Sequence, residues 1–188
     1  MIAPDAAIER LRAGNRRYCS SPVEATARDH GPRRREVASG QQPFAVIVGC
    51  ADSRGPPEII FDQGLGDLFV IRIAGNLVTS AALGSVEFAL GALGARLVVV
   101  LGHSRCGAVS AALAEAPPAS RDLAALVAEI RSGLGRRTAD PTAAVRANVE
   151  HQVERLRSHF GGSEPADLVI VGAEYDLDSG AVEFLADD

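Results

Sequence analysis

LVVVLGHSRCG, residues 97–107, runs through five apolar residues, breaks at Gly102, and then places His103 and Cys106 three residues apart. An apolar run without polar alternation, rich in β-branched residues, reads as a strand covered on both faces. Three other runs share this character: FAVIVGC at 44–50, LFVIRIAG at 68–75 and DLVIVGAEY at 167–175. Helical patterns lie between them. TSAALGSVEFALGALGA, residues 79–95, opens on a Thr/Ser cap and closes on glycine, and PTAAVRANVEHQVERLRSHFGG, residues 141–162, is a long helix ended by Gly161. Small residues after Cys106 continue a further helix towards Pro117. Strands alternating with helices predict an α/β fold with a mostly parallel central sheet flanked by helices. The last run, AVEFL at 181–185, follows the turn-forming Asp178-Ser179-Gly180 and is expected to pair as an antiparallel C-terminal edge strand.

Towards the N-terminus, Pro4–Tyr18 sets Ile8 and Leu11 among arginines behind an early proline, the pattern of an amphipathic helix whose charge is available to cover a partner subunit. Cys19–Gln42 is rich in turn formers and carries Arg33, Arg34 and Arg35, expected as a short helix with a solvated basic face. With no internal repeat, residues 1–188 are expected as a single domain with an N-terminal helical arm over about 1–40.

Composition narrows the chemistry. At 188 residues, 47% hydrophobic and 23% charged, the chain is long enough for a sizeable core. A net charge of -5 disfavours nucleic acid and anionic membranes as partners, because both demand a basic face. The sequence contains no lysine, which removes Schiff-base and P-loop chemistry. No stretch has the apolar core of a signal peptide or a membrane span, so the expected location is the cytoplasm. Three cysteines in a reducing compartment read as metal ligands or ordinary buried thiols, and Cys19 is assigned to the second class.

Cys50 and His103 both close strand runs, the position from which side chains of a doubly wound sheet meet ligands. With Cys106 they form a set suited to tetrahedral zinc, leaving a fourth position for water or a carboxylate. His30, His151 and His159 fall on loops or helix faces away from the strand ends, so no fourth Cys or His completes a closed site. Asp52 and Arg54, in CADSR, follow Cys50 immediately. Asp52 is read either as the fourth ligand or, when Arg54 pairs with it, as a hydrogen-bond acceptor for water at the ion. The plainer alternatives are two buried cysteines with no metal, a closed structural zinc, and an Asp52 that only caps a turn.

CADSRGPPEIIFDQGLGDLFVIRIAGN, GSVEFAL, LGHSRCGAV and the late GAEYDLDSGAV together resemble the bacterial branch of the β-class carbonic anhydrases. The resemblance implies zinc ligands at Cys50, His103 and Cys106, with Asp52 joining them only in a closed state, and a catalytic dyad of Asp52 and Arg54. It implies reversible hydration of carbon dioxide to bicarbonate and a proton by zinc-bound hydroxide, in a homodimer or homotetramer with clefts at subunit interfaces. Positions matching the substrate pocket are Gln41, Phe69, Ala74, Phe88 and Gly107. His30 is the candidate proton shuttle. Two departures stand out: Gly55 replaces a small apolar residue usual after the arginine, and Ile47 stands where some members carry a tryptophan of an inhibitory bicarbonate pocket. The competing functions are a related hydrolase of carbon disulfide or carbonyl sulfide, and a catalytically weak zinc- or bicarbonate-binding module.

Overall fold

Strand β1 (Ala45–Gly49) and strand β3 (Leu97–His103) are buried along their whole length, as expected of valine- and isoleucine-rich runs with helices on both sides. The computed structural model describes residues 2–20, 31–134, 140–161 and 165–186. β2 (Leu68–Arg72) and β4 (Val169–Tyr175) complete four parallel strands, and β5 (Val182–Phe184) runs antiparallel to β4 at the edge, in the order β2-β1-β3-β4-β5.

Helices α1 (Pro4–Ser20) and α3 (Pro57–Ile60) lie on one face of the sheet, where Ala7, Leu11, Ile60 and Phe61 pack on Ala45, Ile47 and Val99. The other face is covered by α4 (Ser80–Gly91) and α7 (Pro141–Phe160), through Val86, Ala89, Val149 and Leu156 on Val46, Val48, Val98 and Val100. Period-2 alternation along each strand thus feeds two separate cores. A third cluster sits beyond the carboxyl ends of the strands. There α5 (Gly107–Leu113) and α6 (Arg121–Leu134) enclose Cys50 and Cys106 with Val109, Ile130 and Val145.

Side chains cap the starts of α4 and α7, the first as the Thr/Ser signal predicts and the second through a residue the sequence reading does not name. Thr79 accepts a hydrogen bond from the backbone N–H of Ala82 at 3.3 Å, and Asp140 caps α7 through Ala143 N–H at 3.0 Å. α2 (Gly31–Glu36) buries none of its residues, consistent with a solvated arginine run. Three details differ from expectation. The helix after Cys106 stops at Leu113 rather than near Pro117, and α3 and α6 had no counterpart in the sequence reading. Cys19 is exposed rather than buried, because it lies in the last turn of α1, beside Gly180, where the helix leaves the sheet. α1 itself is seated on its own chain, with the Asn15 amide donating to the carbonyls of Ile60 and Gly180. Residues 21–30 of the expected arm, His30 among them, lie outside the described residues.

Candidate metal centre and active site

The carboxyl ends of β1 and β3 are neighbours in the sheet, so chain direction alone delivers Cys50 and His103 to one place. Cys106 follows one turn later, at the start of α5. All three are buried, and their ligating atoms lie within 4.8 Å of one another, the one such cluster found among the described residues.

The donor set fits zinc. The Cys50 and Cys106 sulfurs are 4.0 Å apart, close to the edge of about 3.8 Å that two zinc–sulfur bonds of 2.3 Å subtend in a tetrahedron. His103 Nδ1 pairs with the carbonyl of Ser104 at 3.0 Å, which places the ring proton on Nδ1. Nε2 is buried without a hydrogen-bond partner. A buried, unsatisfied imidazole nitrogen facing two thiols is costly unless a cation occupies the space between them. The hydrogen bond from Cys106 draws the Cys50 thiol down against burial, helped by the backbone N–H groups of Asp52 at 3.4 Å and Gly75 at 3.3 Å. Sharing that proton pushes the Cys106 thiol up.

Asp52 stands beside this cluster, its Oδ2 3.9 Å from His103 Nε2. Arg54 grips it: Nε donates to Oδ1 at 2.9 Å, Nη2 to Oδ2 at 2.6 Å, and the Arg54 backbone N–H to Oδ1 at 3.0 Å. The guanidinium holds the Asp52 carboxyl well below the usual carboxylate range. Of the two arrangements expected for Asp52, the structure has the one paired with Arg54. Gly55 N–H donates to the Asp52 carbonyl at 3.2 Å, closing the turn, and a β-carbon at Gly55 would meet only the Tyr175 ring at 3.8 Å.

The pocket-wall positions divide. Gly107 directly follows Cys106, and Ala74 precedes Gly75, whose N–H reaches the Cys50 sulfur. Phe69 and Phe88 lie apart from that buried cluster, rings 6.2 Å from each other on the α4 side of edge strand β2, with Phe88 53% exposed. Gln41 lies in the segment that leads into the amino end of β1. It is separated from Cys50 by the strand, on the order of 15 Å. Ile47 is fully buried beneath α1 and α3.

The carbonic anhydrase family pattern matches residues 45–182. This chain belongs to the β-carbonic anhydrase family. It is 42% identical to carbonic anhydrase 2 of Mycobacterium tuberculosis, over 94% of this chain and 90% of that protein. Against the carbonic anhydrase of Mycolicibacterium smegmatis the identity is 38%, over 96% and 92%. Among solved β-carbonic anhydrases, the Coccomyxa enzyme bound to acetazolamide superposes with a TM-score of 0.73 at 27% identity, covering 95% of this chain and 86% of the other. A tetrameric β-carbonic anhydrase of Sordaria macrospora shares the fold, with a TM-score of 0.70 at 22% identity over 96% and 97%.

Two features of this β-carbonic anhydrase site had no signal in the sequence. The Gly75 N–H to Cys50 is a backbone contact. Arg72, at the end of an apolar strand, donates to the carbonyls of Cys50 and Asp52.

Proposed function

We propose that this chain catalyses the reversible hydration of carbon dioxide to bicarbonate and a proton, with Cys50, His103 and Cys106 as ligands of a zinc ion. The observation carrying this reading is the buried, unpartnered His103 Nε2 facing two thiols, with an Arg54-paired carboxylate at its side. Zinc, when bound, supplies the Lewis acidity that lowers the pKa of water to about 7 and makes a nucleophile available at neutral pH.

The protein's own groups do the rest. Asp52 Oδ2 accepts a hydrogen bond from the attacking water and fixes its orientation, and Arg54 keeps Asp52 ionised and turned to that task. Small residues at Ala74 and Gly107 leave room beside the donors for a linear molecule, and a β-carbon at Gly107 would meet nothing within 4 Å. The Arg54 side chain is 51% exposed, so the dyad opens to solvent in the single chain, which suits carbon dioxide and bicarbonate better than the enclosed apolar route expected for carbon disulfide.

A second subunit completes the site. Gln41 sits at the opposite end of β1 from Cys50, so it reaches a substrate only from a partner copy, and the Phe69–Phe88 patch on the edge of the sheet is the matching contact. No helix among the described residues is long and apolar enough to cross a membrane, and thiolate ligands suit the reducing cytoplasm. Stopped-flow carbon dioxide hydration across pH, with zinc counted per subunit, tests the proposal. Activity that tracks zinc content is expected, and zinc-loaded protein without hydration activity overturns it.

A further inference from the structure

We propose that Arg72 is a positioning residue that holds the loop carrying both Cys50 and Asp52 in register with the dyad, a role that rests on the function proposed above. Arg72 ends edge strand β2, paired with Gly49, and its side chain crosses the mouth of β1. Nε donates to the Cys50 carbonyl at 2.9 Å and Nη2 to the Asp52 carbonyl at 2.5 Å. The Asp52 carbonyl also accepts the Gly55 N–H, so Arg72 is fastened to the turn that presents Arg54.

The dyad needs such an anchor. Asp52 and Arg54 are two residues apart and bind one another, which fixes their mutual geometry but not their position over the donors. On the β3 side, the tie of Arg54 to the fold is a 3.5 Å contact from Nη2 to the Arg105 carbonyl. With glycine at 55, no side chain there wedges the turn against Tyr175. Arg72 holds the other side, and it forms no ion pair among the described residues, so its charge is directed at the two carbonyls. A planar guanidinium spans two acceptors at once, which a lysine ammonium on a flexible stem does less well. Holding the Cys50 backbone also sets the direction of a metal ligand, and partners outside the ligand shell are typically worth 10- to 100-fold in metal affinity or activity.

The test uses the full-length zinc enzyme carrying Arg72→Gln or Arg72→Lys. For Arg72→Gln the expected results are a kcat lower by about 10-fold or more with KM little changed, and zinc transfer to a chromophoric chelator faster by about the same factor. Faster hydrogen exchange at the Gly55 amide is expected too, with Arg72→Lys intermediate throughout. In an Arg54→Gln background, where Asp52 is already released, Arg72→Gln is expected to cost little further turnover. Wild-type kcat and zinc release in Arg72→Gln overturn the proposal, as do effects that simply multiply with Arg54→Gln. If Arg72→Gln does not fold, Arg72→Lys decides: wild-type behaviour there, or failure of both variants to fold, also overturns it. A wild-type enzyme without hydration activity defeats the functional reading instead, while chelator transfer and Gly55 exchange still judge the clamp.

Discussion

Arg54 engages both carboxylate oxygens of Asp52, at 2.9 and 2.6 Å, and so turns a potential metal ligand into a fixed hydrogen-bond acceptor. This bidentate geometry explains the depressed Asp52 pKa better than general electrostatics, since the Arg54 hydrogen bonds outweigh the burial that opposes them. A depressed folded-state pKa contributes stability above the unfolded value of about 3.9 and loses it only as pH falls through the folded value. The pair therefore stays intact across the neutral and mildly acidic range. Asp52→Asn is expected to retain zinc and lose about 100-fold or more in hydration rate. Stopped-flow traces matching wild type would remove Asp52 from the mechanism.

Zinc held by Cys50, His103 and Cys106 would join the ends of two strands to the start of α5, so its removal is expected to loosen that third cluster rather than the sheet. At free zinc 100 times above Kd, binding stabilises the folded chain by about 2.7 kcal/mol. Calorimetry of chelator-treated protein should show a lower Tm that returns with zinc, while Cys106→Ala should show the lower Tm and no response to added metal.

Legibility from sequence followed the physics of each signal. β1 and β3 were plain because valine and isoleucine buried on two faces leave no polar alternation, and the metal set was plain because side-chain chemistry names its own ligands. α6 is different: its buried Val127, Ile130 and Leu134 stand at i, i+3 and i+7, a helical spacing present in the sequence that the reading above does not use. Arg72 was invisible for a different reason. Its partners are backbone carbonyls, which every residue has, so only the approach of β2 to the end of β1 reveals the contact. The exposure of Cys19 likewise depends on where α1 ends against the sheet, not on residue type.

Gly55, the departure beside the dyad, is not demanded by its backbone. Its φ lies outside the left-handed region, and a β-carbon would rest against the Tyr175 ring at ordinary contact distance. Gly55→Ala is expected to stabilise the protein by about 0.4–1 kcal/mol, by restricting the unfolded chain. Chemical denaturation measures this, and with Arg72 holding the turn, kcat should stay at or above the wild-type value.

Tyr175 lies below Gly55, buried, with its hydroxyl 3.1 Å from that of Tyr18 on α1. Burial pushes the Tyr175 phenol up, with the Tyr18 hydrogen bond adding to it. A raised folded-state pKa gives stability that is complete below the unfolded value of about 10 and declines as pH rises beyond it. Wild-type protein is therefore expected to weaken in alkali through this pair. Tyr175→Phe should cost about 1 kcal/mol at neutral pH and show a flatter alkaline decline in denaturant midpoint. Identical alkaline profiles would place the sensitivity elsewhere.

Among the described residues Phe88, on α4, is the most exposed aromatic ring, and it lies tilted against Phe69 of edge strand β2. Isolated strand edges and contiguous apolar surface are rarely left open in soluble proteins. Gln41 meanwhile lies at the wrong end of β1 to serve the site of its own chain. Both observations support the proposed paired assembly, in which one subunit would complete the cleft of the other. Phe88→Glu is expected to shift sedimentation from dimer or tetramer to monomer and to lower hydration activity with it, while zinc per chain stays constant because all three ligands come from one subunit. A monomeric variant with full turnover would show that each chain works alone and that Gln41 has no part in the reaction.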